Sequence, residues 1–84
     1  MQLKDKVTLS AAGLSSSGAE CSKVKEALDI GSERGATVTK VHDDDTYTVF
    51  WTFSGKKDPD RKVLMAPPLF HLNTVHARNE LKYA

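Results

Sequence analysis

The amino-acid sequence predicts one small domain over residues 1–84, mostly β (α+β), with a helical insertion at residues 15–31 between the first two strands. Three observations support this prediction. Residues 36–53 hold two β-prone segments around a short polar turn, which is typical of a β-hairpin. Segments near both ends of the chain, 4–10 and 81–84, alternate apolar and polar residues as half-buried strands do. Within the insertion, apolar residues recur at the spacing of an amphipathic helix.

The insertion is expected to hold a helix over residues 19–28. Ser17 and Glu20 fit a capping box, in which each side chain bonds a free backbone amide at the helix start. A helix of about three turns is marginal by itself, so it must pack on the sheet. A partly mobile insertion is the alternative. The apolar stripe that would face the sheet consists of Cys21, Val24 and Leu28.

The central hairpin holds most of the aromatic residues. Its turn is Asp43–Asp45, since aspartate side chains bond neighbouring amides and tolerate turn geometry. In the first strand, Val38 and Val41 have opposite parity. This predicts either a bulge near residues 39–40 or a strand that bends around a barrel and buries both faces in turn. Phe50 has outward parity, and it is expected to form a contact surface or to be covered by the helix. The inward, core-facing set of the second strand is Tyr47, Val49, Trp51 and Phe53.

The remainder of the chain is predicted to be short extended pieces. Residues 61–66 have the pattern of a fourth strand, which two prolines end because they cannot donate to a sheet. The apolar residues 69–72 are expected to cover the open end of a barrel, and residues 73–76 to form a further short extended piece. A tight turn at residues 77–80 precedes the last strand.

Four segments of the sequence carry a resemblance to a known family. They are Lys4–Leu9, Arg34–Val41, Asp45–Trp51 and Val75–Leu81. In turn they are similar to the Gly-Asp-x-Val opening, the second strand, the Tyr-x-Val-x-Trp third strand and the closing turn of SH3-like small barrels of the KOW and Tudor type. Lys4 stands where the opening glycine is usual. The chain also resembles small uncharacterised SH3-like proteins of phages and prophages, and the resemblance implies a five-stranded small barrel.

The charge balance argues against binding that relies on bulk charge. Twelve Lys and Arg residues face eleven Asp and Glu residues, for a formal charge of +1. A protein that holds nucleic acid or anionic lipid through overall charge carries a larger excess. A local basic surface remains an alternative, although Asp58 and Asp60 interrupt it. The densest basic cluster comprises Lys56, Lys57, Arg61 and Lys62.

No pattern in the sequence is typical of a catalytic or metal site. The three histidines, His42, His71 and His76, lack the spacing of metal-ligand motifs, and the three adjacent aspartates suit a turn better than a cation loop. A nucleophilic pair of Cys21 with a histidine would require contacts in space that the sequence does not indicate. We therefore expect no enzymatic activity, no cofactor and no metal.

The single cysteine excludes an intramolecular disulfide and favours a reducing compartment. The N-terminal residues lack the apolar core of a signal peptide, and no window is long and apolar enough to span a membrane. The sequence therefore predicts a cytoplasmic protein that does not insert into membranes.

Taken together, these patterns predict a non-enzymatic protein-interaction module that binds a protein partner or a second copy, with no small-molecule substrate. A phage or mobile-element accessory protein is the source that the resemblance suggests. The alternative is a KOW-like nucleic-acid-binding protein that uses the basic cluster. The expected protein-contact residues are Phe50, Leu69, Phe70 and Leu72.

Overall fold

The computed structural model describes residues 1–55 and 69–84. Its elements in chain order are β1 (Val7–Leu9), α1 (Ala11–Ser15), α2 (Ala19–Ile30), β2 (Gly31–Val41), β3 (Thr46–Gly55), β4 (Leu69–Ala77), a 3-10 turn (Arg78–Glu80) and β5 (Leu81–Tyr83). The mostly-β (α+β) class and the helical insertion between the first two strands are confirmed. The predicted fourth strand at residues 61–66 lies outside the described residues.

The described strands form two antiparallel sheets. One has the order β2-β3-β4, and the other pairs β1 with β5. A single bridge between Lys6 and Thr37 joins them, supported by a 3.1 Å hydrogen bond from the Lys6 ammonium to the Thr37 hydroxyl. Over the residues described, the strands therefore do not close into the five-stranded barrel that the resemblance implied.

The central hairpin matches the sequence prediction closely. Strands β2 and β3 are antiparallel, and the register shifts between Val38 and Lys40, where the bulge was expected. In the turn, the Asp44 carboxylate accepts a 2.6 Å hydrogen bond from the Thr46 hydroxyl. Asp45 adopts a positive φ of 63°, which aspartate tolerates better than most residues. The acidic run is therefore turn chemistry.

Helix α2 packs across the inner face of the three-stranded sheet. Its buried residues are Cys21, Val24 and Ala27. The helix starts after Gly18, which provides no side-chain cap, so the predicted capping box is wrong. Glu20 instead accepts a 3.2 Å hydrogen bond from the Val75 amide on β4. A tertiary contact has replaced the local cap.

The core lies between α2 and the sheet and includes the inward set of β3. Trp51, Phe53 and Val49 are fully buried, and Tyr47 nearly so. Burying one such side chain contributes about 1.5–3 kcal/mol to stability, so this strand supplies much of the core. Two further aromatic contacts extend the core toward β4. The rings of Phe53 and Phe70 stack 5.3 Å apart, and the rings of Trp51 and His76 meet edge-on at 6.2 Å.

Strand β4 corrects two predictions. Residues 69–72 do not cover an open end, and residues 73–76 are not a separate piece. All of them belong to one strand that pairs with β3 from Thr46 opposite Ala77 to Ser54 opposite Leu69. Among the residues that the structure describes, neither helix is long and apolar enough to cross a membrane.

Candidate functional site

The four predicted protein-contact residues divide between the two faces of the sheet. Phe50 and Leu69 lie on the outer face, opposite α2, where the Phe50 ring stacks on His71 at 5.0 Å. The expectation that the helix covers Phe50 is therefore wrong. Phe70 and Leu72 lie on the inner face and pack against the core at its margin. The four residues do not form one surface.

The inner pair lines an apolar groove of about 320 Å³ between α2 and β4. Ile30, at the end of α2, is 57% exposed and forms the outer wall. Lys23 and Glu26 stand at the margin with opposite charges, so the groove has no net charge. The remaining lining residues are Ala27, Phe70, His71 and Leu72. The groove suits an apolar group.

Gly31 leaves space for the ring of Phe70, which lines this groove. A Cβ atom at this position would lie 2.8 Å from the Ser54 carbonyl oxygen and 3.0 Å from the Phe70 ring. The backbone at Gly31 is extended, so the requirement is for space and not for an unusual φ. Gly31 is the C-cap residue of α2, and its lack of a side chain also leaves room for the Phe70 ring.

Strand β4 forms one edge of the three-stranded sheet within the described part of the chain. Two acidic side chains occupy the C-terminal half of that edge. Glu20 accepts from the Val75 amide, and Glu80 accepts from the Ala77 amide at 2.9 Å. Amides of the same parity, at His71 and Asn73, point in the same direction because strand geometry repeats every two residues. The N-terminal half of the edge lies beside the groove.

The residues of the nucleic-acid alternative, Lys56, Lys57, Arg61 and Lys62, lie outside the described residues. The hypothesis of a basic nucleic-acid surface therefore stays a prediction.

A second site was not predicted: a cluster of Cys21, His76 and Glu80, in which one candidate ligand atom from each residue lies within 4.8 Å of the others. Three elements bring these residues together, since Cys21 is in the first turn of α2, His76 is on β4 and Glu80 ends the 3-10 turn. The Cys21 sulfur lies 3.4 Å from His76 Nδ1 and 3.4 Å from Glu80 Oε2. His76 Nδ1 lies 3.9 Å from Glu80 Oε1.

Hydrogen bonds hold the cluster from the core side. Trp51 Nε1 donates to the Thr74 hydroxyl oxygen at 2.7 Å, and that oxygen lies 2.6 Å from His76 Nε2. Tryptophan can only donate, so the Thr74 oxygen accepts from Trp51 and its own hydrogen is free for Nε2. The hydrogen bonds then run in one direction: His76 Nδ1–H donates to the Cys21 sulfur, and the Cys21 thiol donates to the Glu80 carboxylate. In this order each donor of the cluster has an acceptor, and no buried side-chain nitrogen or oxygen in the described part of the chain lacks a hydrogen-bond partner.

The protonation states follow from burial and from the carboxylate. Burial raises the pKa of the Cys21 thiol, and its hydrogen bond to Glu80 raises it further. Burial lowers the pKa of His76, against the attraction of the Glu80 and Glu20 carboxylates. The hydrogen bond from the Ala77 amide lowers the pKa of Glu80. At neutral pH the cluster therefore contains a thiol, a neutral imidazole and a carboxylate.

These states decide what the cluster can do. An activated cysteine nucleophile requires a lowered thiol pKa, commonly with a positively charged histidine beside it. The shifts at Cys21 and His76 run in the opposite directions, and both residues are about 1% exposed. Nucleophilic catalysis is disfavoured. Thiol, imidazole and carboxylate are, however, three zinc-ligand types.

Sequence reasoning named Cys21 and His76 but missed Glu80 and Thr74. One signal was present: Thr74 and His76 have the same strand parity as Phe70 and Leu72, so two polar side chains enter an apolar face. The opposite parity of β4 is also mixed, with Leu69 and Val75 among polar residues. Alternation alone therefore did not indicate which face was buried.

Comparisons with known proteins provide no relative for this chain. No protein-family model matches it, and no curated protein and no solved structure matches it. The likeness to SH3-like small barrels of the KOW and Tudor type therefore remains a prediction from the sequence.

Proposed function

We propose that the protein is a non-enzymatic interaction module that binds an extended segment of a partner protein along β4. The segment would add a strand to the sheet edge at residues 69–73 and place one apolar side chain in the groove between α2 and β4. Added strands of this kind bind through main-chain hydrogen bonds, and pockets for alternate side chains provide the selectivity. We also propose, from the sequence resemblance, that the domain is related to SH3-like small barrels.

The observation that carries the proposal is the coincidence of a groove and a sheet edge on the same strand. Phe70 and Leu72 line the groove. Strand periodicity directs the amides of His71 and Asn73 outward from the adjoining edge, as it does those of Val75 and Ala77. One extended segment could satisfy both features, because its side chains alternate between facing the groove and facing away. A bound metal or a folded helix would use only one of them.

The chemistry of the groove favours an apolar and uncharged partner segment. Ile30 and Leu69 are 57% and 62% exposed, which leaves apolar surface at both ends of the contact. The two charged lining residues, Lys23 and Glu26, carry opposite charges. We therefore expect a segment with apolar residues at every second position and no dependence of affinity on salt, since no charge pair dominates the contact.

The test is selection from a displayed library of random peptides against the folded protein. Enriched peptides should show the alternating apolar pattern, and their binding should shift backbone amide signals of residues 69–73 in NMR spectra. Ile30→Asp, which places a charge in the groove, should reduce affinity at least about tenfold, or about 1.4 kcal/mol. The matched control is Leu3→Asp, because Leu3 is 58% exposed but does not line the groove.

Three outcomes would overturn the proposal. Selection could enrich no peptide, or the enriched peptides could bind Ile30→Asp as well as they bind the parent protein. Sedimentation could also show that two copies pair through β4 and exclude the peptide, with Ile30→Asp restoring the monomer. In that case the natural occupant of the edge would be a second copy of the chain.

A further inference from the structure

We infer that Cys21, His76 and Glu80 form a binding site for a zinc-type divalent transition-metal ion. The site lies in the core behind the 3-10 turn, and it shares no residue with the groove or with residues 69–73 of β4. Its three candidate donors are a sulfur, an imidazole nitrogen and a carboxylate oxygen. Zinc accepts all three donor types, whereas calcium and magnesium prefer oxygen ligands alone.

The distances between the donors suit a tetrahedral ion. Zinc bonds of about 2.0–2.3 Å imply distances of about 3.3–3.6 Å between neighbouring ligand atoms of a tetrahedron. The two distances from the Cys21 sulfur, to His76 Nδ1 and to Glu80 Oε2, are both 3.4 Å. The Glu80 oxygen nearest to His76 Nδ1 is the other one, Oε1, at 3.9 Å, so the carboxylate must turn to bring a single oxygen within reach of an ion held by Cys21 and His76.

The surroundings of His76 have the form of an outer shell around a metal ligand. Histidines that bind metal donate their other ring N–H to a fixed acceptor, which sets the tautomer and the ring orientation. Here that nitrogen is Nε2, 2.6 Å from the Thr74 hydroxyl oxygen. This oxygen has two lone pairs, so it can accept from Trp51 and from Nε2 together. The Ala77 amide fixes Glu80 in the same manner.

Binding would change the protonation of the cluster in a defined way. The thiol of Cys21 loses its proton to solvent, the sulfur–metal bond forms, and the imidazole proton moves from Nδ1 to Nε2. One proton is released for each ion bound, because His76 and Glu80 start as a neutral imidazole and a carboxylate. No oxidant or reductant is required.

Three protein ligands leave a fourth position on a tetrahedral ion. Ser16, in the connection between α1 and α2, lies close enough to Cys21 and Glu80 to lower the pKa of both groups. Glu80 is the most exposed member, with 24% of its side chain accessible, while the His76 side chain is fully buried. The ion would therefore enter past Glu80 and Ser16, and its fourth ligand would be water on that side. The bound ion would connect α2, β4 and the 3-10 turn.

The test is titration of the reduced, metal-free protein with Co²⁺, followed by absorption spectroscopy. We expect one Co²⁺ per chain, a thiolate-to-cobalt charge-transfer band in the near ultraviolet, and visible bands with the intensity of a tetrahedral ion. Zn²⁺ should displace the cobalt, and Ca²⁺ in excess should not. These readouts use the unmodified chain, so they do not depend on whether a core variant folds.

Variants then assign the ligands. Cys21→Ser should abolish the charge-transfer band, and His76→Gln and Glu80→Gln should each weaken binding at least about tenfold. His71→Gln is the matched control, since this histidine is exposed on the same strand. Far-ultraviolet circular dichroism would identify variants that fail to fold. The inference is overturned if the unmodified protein gives no charge-transfer band, or if a folded Cys21→Ser protein retains it.

Discussion

The sulfur of Cys21 and Nδ1 of His76 lie 3.4 Å apart, although 55 residues separate them in the chain. The first turn of α2 supplies one group, and the far end of β4 supplies the other. The pair is buried in the core, and the Glu80 carboxylate beside it carries the charge. This contact is where the insertion joins the sheet through polar groups as well as apolar ones.

Cys21 should be almost unreactive in the native, metal-free protein. Burial raises the pKa of its thiol and blocks access by reagents. A thiol reagent can therefore react only with molecules in which the fold has opened. We expect modification to be at least about 10³-fold slower in buffer than in urea, since only a small fraction of the chain is open. The reaction rate of free glutathione with the same reagent, in buffer and in urea, provides the control for the effect of urea on the reagent. A native rate equal to the unfolded rate would contradict the prediction and indicate an activated nucleophile.

Thr74→Val should destabilise the protein by about 2–4 kcal/mol. Valine has nearly the shape of threonine, but Trp51 Nε1 would lose its acceptor and His76 Nε2 its partner inside the core. Each unsatisfied buried group costs about 1–3 kcal/mol. Urea unfolding followed by Trp51 fluorescence would measure the change. Thr52→Val, on the outer face of β3, is the control and should change stability by less than about 0.5 kcal/mol.

The stability of the metal-free protein should fall as the pH drops below the ordinary histidine pKa of 6.5. Burial lowers the pKa of His76 in the folded state, so the unfolded chain binds the proton more readily. The stabilisation is therefore complete above pH 6.5 and is lost as the pH falls from that value toward the lower folded pKa. Cys21, Glu80 and Glu20 face this ring, and only the two carboxylates favour its charged form.

Urea unfolding at several pH values with a chelator present would measure this effect. His76→Gln is the comparison, because it removes the titrating group while keeping a polar side chain. The difference in unfolding free energy between the two proteins should depend on pH over this window. A constant difference would show that His76 does not couple folding to protons.

Gly31→Ala should destabilise the protein by about 1–3 kcal/mol, the usual range for overpacking. The added Cβ would press on the Ser54 carbonyl and the Phe70 ring, which must move. Thermal unfolding would measure the loss, with the neighbouring Ser32→Ala as the control. The same variant should weaken binding of any peptide that uses the groove, because Phe70 lines it. Unchanged stability would mean that the ring can shift freely.

The sequence predicted the hairpin well because its signals are local. Parity identified Tyr47, Val49, Trp51 and Phe53 as core residues, and all four are buried. Side chains alternate between the two faces of a strand with a period of two residues. A strand with one buried face therefore shows apolar residues at every second position of its sequence. The acidic turn and the bulge after Val38 follow from equally local chemistry.

The predicted contact surface was less accurate because it grouped residues by hydrophobicity. Leu69, Phe70 and Leu72 are neighbours in sequence, but a strand sends alternate side chains to opposite faces. The structure therefore separates Leu69 from the other two residues. It also adds Ile30 from α2, which completes the groove from 40 residues upstream of Phe70.

The sequence by itself determined the fold class, the hairpin with its core face, and the presence of a helix between the first two strands. Each depends on periodicity or turn chemistry within a few residues. Only the tertiary structure decided that the strands pair as two sheets, that α2 covers the face opposite Phe50, and that Cys21 meets His76 and Glu80. The physical reason is that such contacts depend on how α2 and β4 pack together. The residue pattern of each element shows which of its faces is apolar, but not which other element will pack against that face.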